Sequence, residues 1–206
     1  VRTERLQALA DGVFAIALTL LVLELPAPVH SDRLGHDLLA QWPSYAAYVV
    51  SFVTVAIVWI NHHALLDAVR SADRTLVELN LLLLLFVAAV PWPTGLVAEY
   101  LRRPGQSSAA AVTYGLVMTA MSAAFTLVWV RLTRAPHLLR DATRPRVARA
   151  LRRSAVGPVA YAAGTVLAAV DATAAFVAFA AVAGYFAVTA RRAHPGGTTV
   201  TTVLPR

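Results

Sequence analysis

The stretch from Arg5 to Leu25, RLQALADGVFAIALTLLVLEL, constrains this chain more than any other. It is apolar and long enough to cross a bilayer, whose ~30 Å hydrocarbon core needs about 20 helical residues. Yet it holds Asp11 within the run and Thr19 near its middle. A carboxylate at membrane depth costs about 3 kcal/mol on insertion scales, so a chain that keeps one there gives it partners or a task.

Composition agrees with a membrane protein. Of 206 residues, 58% are hydrophobic and 14% charged, with a mean hydropathy of +0.64; a soluble domain carries about 25% charged residues. There is no cysteine, which excludes disulfides, thiolate catalysis and cysteine-ligated zinc or iron–sulfur centres. The net charge is +7 and every basic side chain apart from histidine is Arg. These arginines sit between apolar runs, the pattern of membrane topology rather than of a nucleic-acid stripe, so no nucleic-acid partner is expected. Asp11 also interrupts what would be the apolar region of a secretory signal, so the first run is expected to be retained as a helix.

Six runs are expected to cross the membrane, at about 4–25, 43–66, 72–98, 107–131, 151–170 and 173–191. They make one all-α domain, residues 1–193, followed by a Gly/Thr/Pro-rich tail, 194–206, expected to be disordered. Pro26 and Pro28 close the first helix, and Pro91 and Pro93 should kink the third. Between the fourth and fifth runs lie Arg131, Arg134, Arg140, Arg144, Arg146, Arg149, Arg152 and Arg153 against one acid, Asp141. The positive-inside rule makes that segment cytoplasmic, and six crossings then give an N-in, C-in topology that places Arg2 and Arg5 inside as well. The segment reads either as a topology determinant alone or as a helix along anionic headgroups. Runs four to six are rich in Ala and Gly and read as packing scaffold; the first three read as the working half.

At about 1.5 Å per residue, this topology places Asp11 roughly 10 Å inside the inner surface. Asn61, His62 and His63 at the end of the second run reach a similar depth, as do Glu78 and Asn80 at the start of the third. With Arg5 they form one polar layer, and buried charges need partners. Three readings stand: an interhelical network pinning the first three helices; a proton-leak pathway or proton-coupled transporter using Asp11, His62, His63 and Glu78; or a metal or hydrolytic centre on His63 and Asp67 at i, i+4. No H-E-x-x-H pattern and no P-loop is present, so neither a metal nor a cofactor is expected. Ile16, Leu20 and Leu23 form a stripe at i, i+4, i+7 beside Thr19, whose hydroxyl should bond back to the Ala15 carbonyl.

The run from Arg5 through Asp11, Ala15 and Ile16 to Leu25 closely resembles the first-helix signature of the transmembrane protein 175 family of potassium channels, R-x-x-x-F-S-D-x-x-x-A-I. Trp59-Ile60-Asn61-His62-His63, Leu79-Asn80-Leu81-Leu82 and Pro91-Trp92-Pro93 look like the second- and third-helix patterns of its bacterial members. One departure stands out: Leu9 and Ala10 replace the Phe and Ser of F-S-D. The resemblance implies a homotetramer in a bacterial plasma membrane, not an enzyme, with K⁺ as the permeant ion. Helix 1 of each copy would line a central pore. Ile16 would form the narrowest apolar ring, Leu20 and Leu23 further rings, and Thr19 a ring of hydroxyls setting selectivity. Glu24, near the outer mouth, either concentrates cations or is an ordinary surface acid. No T-V-G-Y-G filter exists in the chain, so selectivity would not come from that carbonyl ladder.

Overall fold

The computed structural model describes residues 3–27, 32–140 and 144–193. The tail 194–206, Arg2 and Asp141 lie outside the described residues. The described chain is helical: α1 (Thr3–Leu20), α2 (Leu34–Ala40), α3 (Trp42–Asp67), α4 (Arg74–Ala89), α5 (Pro91–Tyr100), α6 (Ser107–Arg134), α7 (Arg144–Ser154), α8 (Val156–Ala168) and α9 (Ala172–Ala193). After Leu20, α1 tightens into a 3₁₀ turn, Leu21–Glu24, ahead of Pro26.

Among the described residues five helical stretches are long and apolar enough to span a bilayer: Thr3–Glu24, Trp42–Asp67, Arg74–Tyr100, Ser107–Arg134 and Ala172–Thr189. This corrects the expectation of six transmembrane helices, and with it the N-in, C-in topology counted from six. The expected fifth helix, 151–170, is not one rod. Its first residues complete the arginine-rich α7, Ala155 interrupts, and α8 has only 13 residues. At 1.5 Å per residue α8 reaches about 20 Å, short of the ~30 Å core.

The third span is broken rather than straight. Pro91 and Pro93 offer no N–H to the carbonyls of Val87 and Ala89, so α4 ends at Ala89 and α5 restarts at Pro91. Buried hydroxyls bridge the break: Thr94 Oγ1 lies 2.8 Å from both the Val90 carbonyl and Ser51 Oγ, and Ser51 meets Tyr114 at 3.1 Å.

Helix α6 is the axis of the bundle, packing against α4, α5, α7, α8 and α9, while α1 leans on α3 and α4. In lipid, close approach depends on small residues, and here glycine supplies it. A β-carbon at Gly164 would lie 2.5 Å from the Phe179 ring of α9, and one at Gly115 2.8 Å from it. Tyr114 and Tyr161 hold the same ring, at centroid separations of 5.4 and 5.9 Å.

A second apolar cluster closes the arginine-rich end, where Leu6, Leu65, Leu66, Leu76, Leu132 and Val147 meet. Two loops are stitched together there: Arg70 N donates to the Leu138 carbonyl at 2.7 Å and Arg140 N to the Ala68 carbonyl at 3.0 Å. Asp73 caps α4 by accepting from Leu76 N at 2.9 Å, and it also accepts from the Arg131 guanidinium of α6.

That pair gives a pH prediction. Hydrogen bonding by Arg131 holds the Asp73 carboxyl below its ordinary value of 3.8. A carboxyl lowered on folding stabilises the native state above its unfolded pKa and loses that contribution as pH falls through the folded one. Asp73→Asn is therefore expected to melt below the native chain at neutral pH. The gap should close as the pH falls beneath 3.8, as read by thermal unfolding in detergent at both conditions.

Candidate functional site

Helix α1 has two faces of opposite character. Leu6, Ala10, Phe14, Ala17 and Leu21 are buried against the rest of the chain. Leu9, Ile16, Leu20 and Leu23 are 50%, 60%, 40% and 74% exposed on the other side. Leu9 and Ile16 are seven residues apart, a spacing that drifts only about 20° on an α-helix, and Leu23, seven further on, follows in the 3₁₀ turn. Beside them run Ala8, Gly12, Ala15 and Thr19, all exposed. A β-carbon at Gly12 would touch nothing within 4 Å, so no contact within the chain requires glycine there.

Thr19 Oγ1 donates to the Ile16 carbonyl at 2.8 Å rather than to that of Ala15. The hydroxyl spends its one proton on its own helix and leaves its oxygen lone pairs unused by that bond. Glu24, at the end of the same stretch, sets its carboxylate where a Gly95 side chain on α5 would overlap it.

The polar layer resolves into separate contacts. Asp11 accepts from Trp59 Nε1 of α3 at 2.8 Å. His62 and Asn80, both 1% exposed, meet at 2.6 Å between Nε2 and Oδ1, bonding α3 to α4. A carboxamide oxygen only accepts, so His62 Nε2 carries the proton. Phe14 of α1 packs on the His62 ring at 5.5 Å, and Asn80 Nδ2 is buried without a hydrogen-bond partner. Gln7 of α1 lies 3.0 Å from His63 Nδ1; with the amide donating, Nε2 is the protonated ring atom facing Asp67 at 3.8 Å. Asn61 bonds back to the Ile57 carbonyl, and Glu78 pairs with Arg74 on the surface of α4. Arg5 is exposed and joins no ion pair among the described residues. Nor do three His, Asp or Glu side chains gather there as metal ligands would.

Trp59 and Gln7 are the partners that sequence reasoning missed. An indole N–H needs an acceptor in lipid, and Asp11 lacked a donor. That unmatched pair was the signal available.

The chain and its fold have counterparts among known proteins. The family model described as endosomal/lysosomal potassium channel TMEM175 matches residues 5–91. A potassium channel of Streptomyces collinus is 51% identical over 160 residues, covering 76% of this chain and 78% of that one. The chain belongs to the TMEM175 family. A crystal structure of a lysosomal potassium-selective TMEM175 homolog from Chamaesiphon minutus superposes with a TM-score of 0.83 at 34% identity. That alignment covers 91% of this chain and 97% of that one. The mouse endosomal/lysosomal proton channel TMEM175 is 38% identical over 111 residues, 49% of this chain and 22% of that protein. TMEM175 proteins are ion channels, not enzymes, and this chain is a multi-pass membrane protein of that kind.

Proposed function

We propose that copies of this chain assemble as a homotetramer in the bacterial plasma membrane, with α1 of each copy facing a central axis and lining a K⁺ pathway. The observation that carries this reading is the free face of α1. Ile16, Leu20 and Leu23 stand exposed on that face, and Gly12 leaves room beside them for a neighbouring helix. Ile16 forms the narrowest ring, closing the path by dewetting, while Leu20 and Leu23 extend the apolar wall. Thr19, next to that constriction, offers hydroxyl oxygens that replace part of the ion's water shell and favour K⁺. Trp59 holds Asp11, and Gln7 reaches His63, so α1 is supported from behind by α3.

Thr19→Val keeps the shape and removes the oxygen. In bi-ionic recordings the K⁺/Na⁺ permeability ratio is expected to fall roughly fivefold, equivalent to about 1 kcal/mol of preference. An unaltered ratio would remove Thr19 from the ion path.

A second reading, a proton pathway, draws on the string of Gln7, His63 and Asp67 and on Asp11 beside it. Reversal potentials separate the two: a K⁺ channel follows the K⁺ gradient, whereas a proton pathway follows pH and loses flux on Asp11→Asn.

A further inference from the structure

A cleft of about 560 Å³ lies between α3, α6, α7, α8 and α9, away from the free face of α1. Its volume falls within the roughly 300–1,000 Å³ typical of small-molecule sites. The walls include Ile57, Met121, Phe125 and Phe186, and Arg149 and Arg153 of α7 stand at its arginine-rich side. These two arginines are four residues apart and therefore share one face of α7. Arg153 Nη2 is buried without a hydrogen-bond partner. Among the described residues no carboxylate lines the cleft and neither arginine joins an ion pair. Two uncompensated guanidiniums above an apolar hollow between membrane spans describe a site with a charged end and a greasy end.

We infer that this cleft holds an anionic membrane phospholipid, its phosphate on Arg149 and Arg153 and an acyl chain along Ile57, Met121 and Phe125. The pairing follows from charge and from solvent. An orphan guanidinium nitrogen beside hydrocarbon is costly until a phosphate oxygen meets it, and basic pockets between transmembrane helices suit anionic headgroups. A free phosphate ion satisfies the arginines but leaves the apolar walls empty. A zwitterionic lipid fills the walls but brings a cation to the arginines.

Trp129 lines the cleft and reports its contents. The channel is reconstituted in phosphatidylcholine vesicles, and phosphatidylglycerol brominated on its acyl chains is titrated against brominated phosphatidylcholine. The part of the fluorescence lost in Trp129→Phe should be quenched at lower mole fraction by the anionic lipid. Arg149→Gln and Arg153→Gln should each weaken that preference about fivefold, the equivalent of about 1 kcal/mol per arginine. K⁺ flux in pure phosphatidylcholine should stay unchanged in both. Arg149 is exposed, so its substitution tests the headgroup contact even where Arg153→Gln fails to fold. Inorganic phosphate added to phosphatidylcholine vesicles should leave Trp129 emission unaltered. Equal quenching by the two lipids, a preference that survives both substitutions, or a response to phosphate with no lipid preference would each overturn the inference.

Discussion

Ile16→Asn is expected to raise single-channel conductance by about tenfold or more and to erode K⁺/Na⁺ selectivity, because it wets the narrowest ring of the proposed pore. An apolar constriction is a barrier through the cost of stripping water from the ion. Lowering that barrier by only about 1.4 kcal/mol is already tenfold in rate. Ile16 is 60% exposed, so the substitution should leave folding nearly unaffected. The measurement is planar-bilayer recording with both cations. Unchanged currents in a correctly assembled variant would mean that Ile16 faces something other than the ion path.

The second large effect concerns stability. Asn80→Leu strips the His62 imidazole of its acceptor in a site where both residues are 1% exposed. Leaving a buried donor unpaired costs about 1–3 kcal/mol, and the Phe14 contact on the same ring ties that loss to α1. The double substitution His62→Leu with Asn80→Leu removes both polar groups and should recover much of the loss. Thermal unfolding of all four forms reads the cycle. Additive losses would mean that the hydrogen bond contributes no coupling, and α3 and α4 are then held by apolar packing alone.

Spacing along the chain carried some of this architecture and was silent on the rest. The i, i+4 spacing of Ile16 and Leu20 is a property of one helix, and the face it marks is the face left free in the fold. The break at Pro91 is likewise local, since a missing N–H acts on its own turn. The fifth segment misled because an apolar average over 151–170 does not register where a helix stops. Arg152 and Arg153 belong to α7, and Ala155 separates them from a helix too short to span. The short α2 was missed for the opposite reason: Leu34–Ala40 is only 7 residues, too few for an apolar run to mark, and a single residue, Gln41, separates it from α3.

Partners were the least legible part of the candidate site. Sequence position gives the depth of Asp11, His62 and His63 in a helix but not which neighbour crosses it there. Hence one layer of polar residues was expected, where the fold forms Asp11–Trp59, His62–Asn80 and Gln7–His63 as separate bonds. Thr19 shows the same limit on a smaller scale, bonding to the carbonyl three residues back instead of four. The ion itself was read from the family's motifs, because apolar stripes alone do not distinguish a pore wall from a lipid-facing surface.

The absence of cysteine from the sequence allows the pore-lining claim to be put directly. Leu23→Cys introduces a lone thiol on the free face where it continues from α1 into the 3₁₀ turn, and a charged, membrane-impermeant methanethiosulfonate reagent reaches it only through water. If α1 lines the ion path, the reagent should modify the thiol and abolish most of the K⁺ flux in reconstituted vesicles. A thiol that stays unmodified while flux continues would turn this face of α1 toward lipid and contradict the account.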